Sequence, residues 1–195
     1  MKNKWDLFVI NMSTTLTEQE RMLAIAKCCV TWGFVPIPVN GKKPFMKDWQ
    51  LTTIDRALSK ISGKTNIGIL TGSPSNIVVL DIDVADNGLI VWNTVVTQPL
   101  TTFTVQTGGG GLHLYFKYDD NTRLLSNGNR MITCNGVKIG WDFRSTGGQV
   151  VFAGSKHETG NMYYPVAGFD KEYPVIETMP DWLFGILRSG GFTLQ

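Results

Sequence analysis

Between Asn66 and Ser155 the chain alternates short apolar runs with glycine-rich or polar breaks, the pattern of a β-rich core. The runs are NIGILTG, NIVVLDID, FTVQT, LHLYFKY, VKIGWDF and QVVFAGS. Ahead of them the periodicity is helical. Thr17 and Glu20 form a T-x-x-E capping box for a helix through about Thr31, with Met22, Ile25, Ala26 and Cys29 at helical spacing and Gly33 placed to end it. FVPIPV reads as an edge strand, because Pro36 and Pro38 cannot donate to a ladder. Thr53 caps a second helix to about Lys60, and PDWLFGILR, opened by Pro180, forms a last one. Residues 1–16 read as a lead-in, 17–188 as one domain and 189–195 as the start of a linker. Helices before and after a central set of strands give a mixed α/β domain with a partly antiparallel sheet.

The 195 residues, 43% hydrophobic and 17% charged, suit a globular chain with a sizeable core. A net charge of +2 announces no overall basic field, although local basic stripes are compatible with it. Three cysteines without C-x-x-C spacing, and only two histidines, argue against a disulfide framework or a Cys/His zinc module. Cys28 and Cys29 read as helix packing. No signal peptide and no membrane-spanning apolar run is present, so the default location is soluble and cytoplasmic.

Candidate chemistry starts at VVLDIDV, where a buried strand ends on Asp81 and Asp83. Strand alternation points both carboxylates to one face, where two unpaired acids repel. A metal ion, an arginine or a lysine is expected between them. Asp142, at the end of another such strand, shares a face with Arg144; this reads as a weak surface pair or as a third metal carboxylate beside an anion-binding guanidinium. His113 follows the Gly108–Gly111 run, on a strand face shared with Tyr115 and Lys117 and opposite Leu112, Leu114 and Phe116. The four glycines form a hairpin loop or let backbone approach a polyphosphate or a nucleic-acid strand. Two decoys fail: SGKT lacks the Walker glycine, since Leu58 stands there, and the third glycine of G-x-G-x-x-G would fall on His113. Lys42, Lys43 and Lys47, interleaved with Phe45 and Trp49, form either a solvated turn or a charged and stacking surface for single-stranded nucleic acid.

The blocks GFVPIPVNGKKP…W, NIGILTG, VVLDIDV, TGGGGLHLYF, WDFRSTGGQVVFAGSKHETG and MPDWLFGIL, in that order, resemble the bifunctional DNA primase/polymerase (Prim-Pol) domain of the archaeo-eukaryotic primase superfamily. The resemblance runs from about Gly33 to Leu187. It implies that Asp81 and Asp83 are the D-x-[DE] metal pair, Asp142 the third carboxylate and His113 a contact to the incoming nucleotide's phosphates. Arg144 falls on a triphosphate-contacting position, and Ser155 and His157 on an S-x-H element bordering the nucleotide pocket, with Gly110 and Gly111 beside it. Two positions depart from the pattern: Ser145 and Thr146 stand where the family often has Gly-Asp, and Gly111 where a small polar residue often precedes the histidine.

The fold implied is an RRM-like, mixed or antiparallel catalytic sheet with flanking helices and a small N-terminal α/β subdomain. The activity implied is template-directed transfer of dNTPs or NTPs to a 3′-hydroxyl on single-stranded or primed DNA, with two Mg²⁺ or Mn²⁺ ions held by the three aspartates. The setting implied is replication of a plasmid, virus or other mobile element, with a helicase domain or partner as a further candidate. Three rival readings make different demands on these residues. A non-catalytic single-strand-binding or replication-initiator module would tolerate loss of the acids. A D-x-D nucleotide-sugar transferase leaves His113, Asp142 and Arg144 without roles. A tyrosine-histidine nicking enzyme needs paired histidines, which this chain lacks.

Overall fold

The computed structural model describes residues 16–98, 100–170 and 173–194; the lead-in before Leu16 lies outside them. Helix α1 (Glu18–Thr31) begins as the capping box requires: the Thr17 hydroxyl accepts from the Glu20 N–H, and the Glu20 carboxylate accepts from the Thr17 N–H at 2.8 Å. Its buried face is Met22, Ile25, Ala26 and Cys29. Past its end Gly33 takes φ 82°, a left-handed turn that only glycine adopts without strain. The second helix, α2 (Ile54–Leu58), is shorter than its sequence pattern implies, but Thr53 does cap it.

Two antiparallel sheets follow. The smaller contains β1 (Pro36–Asn40), β2 (Lys43–Pro44), β3 (Asn66–Leu70) and β10 (Gln149–Val151), in the order β10-β3-β1-β2. The larger contains β4 (Ile77–Ile82), β5 (Thr104–Gln106), β6 (Leu112–Lys117), β9 (Trp141–Arg144) and β11 (Tyr164–Ala167), in the order β11-β5-β6-β4-β9. Helices α3 (Gly88–Val95) and α4 (Asp181–Ser189) flank it. Short pairings complete the fold: β12 (Phe169–Asp170) with β13 (Tyr173–Pro174), and β7 (Thr133–Cys134) with β8 (Val137–Lys138) and β14 (Gly191–Phe192). Helices plus antiparallel sheets make this the expected mixed α/β architecture.

Three local expectations change. β1 is not at a sheet edge, yet β2 pairs only with Val39 and Asn40, so no strand among the described residues adjoins Pro36 and Pro38 on that side. VKIGWDF is two strands, β8 and β9, belonging to different sheets and separated at Ile139–Gly140. QVVFAGS leaves the central set and joins the N-terminal sheet beside β3, after a turn in which Gly147 has φ 83°.

The larger sheet is covered on both faces. Val79, Val105 and Tyr115 pack into a core shared with Ile37, Ile67, Ile69, Phe152 and the buried face of α1. Val78, Leu80, Ile82, Leu114, Phe116 and Phe143 pack on the other side against Trp92, Leu183 and Leu187 of α3 and α4. The face His113 shares with Tyr115 is therefore an inner face and not a solvated one. At one end of it the apolar lining gives way to charge.

Candidate active site

β4 is the central strand of this end. Asp81 lies in register with His113 of β6 on one side and with Asp142 of β9 on the other, while Val79 pairs with Arg144. Directly paired residues project from the same face, so strand register alone gathers Asp81, His113, Asp142 and Arg144. The His113 Nε2 lies 3.4 Å from Asp81 Oδ1. Arg144 donates to Asp142 Oδ2 at 2.8 Å, and the Arg130 backbone N–H donates to Asp142 Oδ1 at 2.7 Å. Asp83 follows the end of β4. Its N–H donates to the Gly140 carbonyl at 2.7 Å and its carbonyl accepts from Leu89 at 2.9 Å, fixing the backbone while the side chain stays exposed. A Cβ at Gly88 would strike the Asp83 and Gly140 carbonyls, so the close start of α3 beside β9 requires glycine there.

The three acids are not electrostatically equivalent. Burial works against ionisation of Asp81, but His113, Arg144 and Lys42 outweigh it and hold its carboxyl below the ordinary carboxylate range. Asp83 is pushed up, first by desolvation and then by the charges of Asp81 and Asp142. Asp142 is also pushed up by desolvation, which outweighs the opposing Arg130 N–H and Arg144 guanidinium. The end of the sheet thus carries more negative charge than its own cations neutralise. Among the described residues no three His, Cys, Asp or Glu side chains form a ready cation cage. The donor chemistry nonetheless fits a hard divalent ion: three carboxylates on one patch, with Asp83 raised by desolvation and by the charges of the other two.

Asp81, Asp83, His113 and Arg144 open into a cleft of about 500 Å³ between the two sheets, while Asp142, paired with Arg144, is not among its lining residues. Asp81, Asp83, His113, Arg144 and Thr107 line one side. Lys42, Lys43, Trp49, Gln149 and Val150, from the smaller sheet and its turns, line the other. The turn lysines Lys42 and Lys43 and the Trp49 ring are therefore placed across from the acids. Lys47 is not: it is exposed away from the lining, and its carbonyl accepts from Arg56 at 3.0 Å.

Ser155, His157, Gly110 and Gly111 are not among the residues that line this cleft. Ser155 is fully buried, with its Oγ accepting from the Ile67 N–H at 3.0 Å, and it ties the segment after β10 to β3. His157 is outside the cleft lining and packs on Tyr163, which is part of it: the Tyr163 centroid is 5.9 Å from His157 and 5.8 Å from His113. The His157 Nδ1 is taken by Thr159. Gly110 and Gly111 belong to the hairpin between β5 and β6, closed by Thr107 N–H to the Gly111 carbonyl at 2.9 Å. A side chain at Gly111 would meet the Ile82 carbonyl, so this glycine lets β6 approach β4 next to the acids. Tyr163, Thr107, Asn127 and Arg130 are site residues that the sequence pattern does not single out. Tyr163 is buried, and burial followed by the charge of Asp81 pushes its hydroxyl far above the usual phenol range.

The site is thus an antiparallel sheet carrying clustered acids with a histidine and an arginine beside them, faced by lysines and an indole across a cleft. A family model described as bifunctional DNA primase/polymerase, N-terminal, matches residues 25–182, and the chain belongs to that Prim-Pol family. Its general activity is primase/polymerase-type nucleotidyl transfer, and the family's substrates are DNA and nucleotides. No curated protein matches the chain. Among the described residues no helix is long and apolar enough to cross a membrane.

Proposed function

We propose that this domain carries out template-directed joining of nucleoside triphosphates to a DNA 3′-hydroxyl, as a primase, a polymerase or both, in replication of a mobile element. The observation that carries the reading is the gathering of Asp81, Asp142, His113 and Arg144 by strand register, with Asp83 just past the end of β4, beside one cleft that Asp81, Asp83, His113 and Arg144 line. Asp81, Asp83 and Asp142 are the residues that would hold Mg²⁺ or Mn²⁺. Bound there, two such ions would activate the attacking 3′-oxygen and neutralise the pyrophosphate leaving group.

The chain's own residues do the remainder. Arg144 and His113 stand beside the acids and supply donors for the triphosphate. Lys42, on the facing wall, already acts on the charges of Asp81 and Asp83 and adds to the cationic field over the same space. Trp49 and Lys43 offer a stacking surface and a charge to the template strand. Tyr163 lines the cleft and packs against the His113 ring on β6.

Extension of a labelled primer–template by the intact chain, with Mg²⁺ or Mn²⁺, tests this. Nucleotide addition that requires the cation and is abolished in Asp83→Ala is expected. Repeating the assay on unprimed template separates priming from extension. Equal single-strand binding by both proteins with no extension by the unsubstituted one would reject catalysis.

A further inference from the structure

We propose that the free site is self-paired: the side chains that serve the triphosphate sit on the carboxylates that serve the cations, so nucleotide binding and cation binding are coupled, chiefly through Arg144. The inference rests on the nucleotidyl-transfer reading above and concerns its regulation.

The two oxygens of Asp142 have different partners. Oδ1 accepts from a backbone group, the Arg130 N–H at 2.7 Å, and the Arg130 guanidinium is itself held by Asp86 at 2.6 Å. That contact yields only if the whole loop moves. Oδ2 accepts from the Arg144 side chain at 2.8 Å, and this partner can rotate away. The Arg144 side chain is 26% exposed and lines the cleft, so it has open space to turn into. Asp81 is engaged in the same way, with Nε2 of His113 at 3.4 Å. The other ring nitrogen, Nδ1, is buried without a partner, so within the fold no hydrogen bond opposes a change in the direction of this ring. Among the described residues the Asp83 carboxylate is the one of the three with no basic side chain within 4.0 Å.

The pairing leaves Asp142 Oδ2 and Asp81 Oδ1 each facing a basic side chain in the free site. A cation arriving alone must displace Arg144 from Asp142 Oδ2. A triphosphate draws the guanidinium onto its own oxygens and thereby unmasks Oδ2. By linkage the effect is reciprocal: whatever factor nucleotide adds to cation affinity, cation adds to nucleotide affinity. The arrangement also keeps the acidic patch partly neutralised while the site is empty. Lys42 faces Asp81 and Asp83 from the other wall but forms no ion pair with them among the described residues, so it is not the exchanging group.

The test is Mn²⁺ binding to the metal-free full chain without nucleotide, read by electron paramagnetic resonance, for the unsubstituted protein, Arg144→Gln and Arg144→Lys. Removing the masking charge should tighten Mn²⁺ binding about tenfold in Arg144→Gln, within the usual range of site coupling. Arg144→Lys should stay near the unsubstituted value. In chelator, dATP binding should weaken by about the same factor in Arg144→Gln. Mn²⁺ affinity in a folded Arg144→Gln that is equal to or weaker than the unsubstituted value overturns the coupling while leaving nucleotidyl transfer standing. Failure of the unsubstituted protein to bind either Mn²⁺ or dATP overturns both. Should Arg144→Gln not fold, the unsubstituted chain still decides: saturation with Mg²⁺ alone must shift the Arg144 Nε–H resonance, and a resonance that stays in place overturns the proposal.

Discussion

Asp81 and Asp83 stand two residues apart, yet their charges act on stability with opposite signs. The carboxyl of Asp81 is lowered in the folded chain, so its ionisation adds stability above the ordinary carboxylate pKa, and that stability is lost as pH falls through the folded value. The carboxyl of Asp83 is raised, so its ionised form costs stability at neutral pH, and the cost vanishes below both pKa values. Asp83→Asn should therefore raise stability at pH 7 in chelator, read as a higher unfolding temperature, by no more than ~1 kcal/mol because the side chain is exposed and screened. Asp81→Asn should lower it, and both differences should shrink toward pH 3. A neutral-pH destabilisation by Asp83→Asn would show that neither desolvation nor carboxylate repulsion makes the ionised Asp83 costly to the fold. The acids are legible in the sequence because a charge that ends a buried run has few innocent explanations. Tyr163 is not: one tyrosine in a loop looks the same from sequence whether it lines a cleft or faces solvent. Nor does the sequence show that the Ser155 hydroxyl accepts from the backbone of β3.

Elements announced by local capping are the ones that read directly from the chain. Helix α1 has its capping box, α2 its Thr53 and α4 its Pro180. Helix α3 gives no such notice: GLIVWNTV is apolar on most sides, and its entry is a turn with Asp86 and Asn87 in left-handed conformations and no side-chain cap. That turn matters to the site. The Asp86 carbonyl accepts from the Gly140 N–H at 3.1 Å, and its carboxylate grips Arg130, which is also left-handed at φ 46°. The segment after β4 and the loop before β7 are thus linked, and each positions one acid, Asp83 and Asp142 respectively. Asp86→Asn keeps a residue tolerant of positive φ while removing the ion pair. It should reduce primer extension several-fold, with a stability change within about 1 kcal/mol, as for exposed pairs generally. Exchanging the two residues, Asp86→Arg with Arg130→Asp, should recover part of the rate. An unchanged rate in Asp86→Asn would show that backbone contacts alone hold Asp142 in place.

At the scale of the molecule, function depends on a closure that local patterns do not encode. β10 leaves the larger sheet's neighbourhood to pair with β3, and this brings Gln149, Val150 and the Lys42–Lys43 turn across from the acids. The Gln149 amide donates to the Lys42 carbonyl at 2.9 Å, so the facing wall is tied to the strand that crosses over. Pairings this distant in sequence are set by the packing of whole faces, which is why the strands are legible and their partners are not. The cleft itself separates the two roles open to the basic turn. If Lys42 and Lys43 follow the template backbone, replacing both with alanine should weaken single-strand binding and reduce the slope of log affinity against log salt by about one unit for each phosphate that is no longer neutralised. Trp49→Ala should weaken binding by ~1–3 kcal/mol, as expected when one base is no longer stacked, with the salt slope unchanged. Lys47→Ala is the internal control, since that side chain lies outside the lining and should alter neither quantity. Weaker dNTP binding in the double-lysine variant, with single-strand affinity and slope intact, would instead assign the pair to the triphosphate, on the same side of the reaction as Arg144.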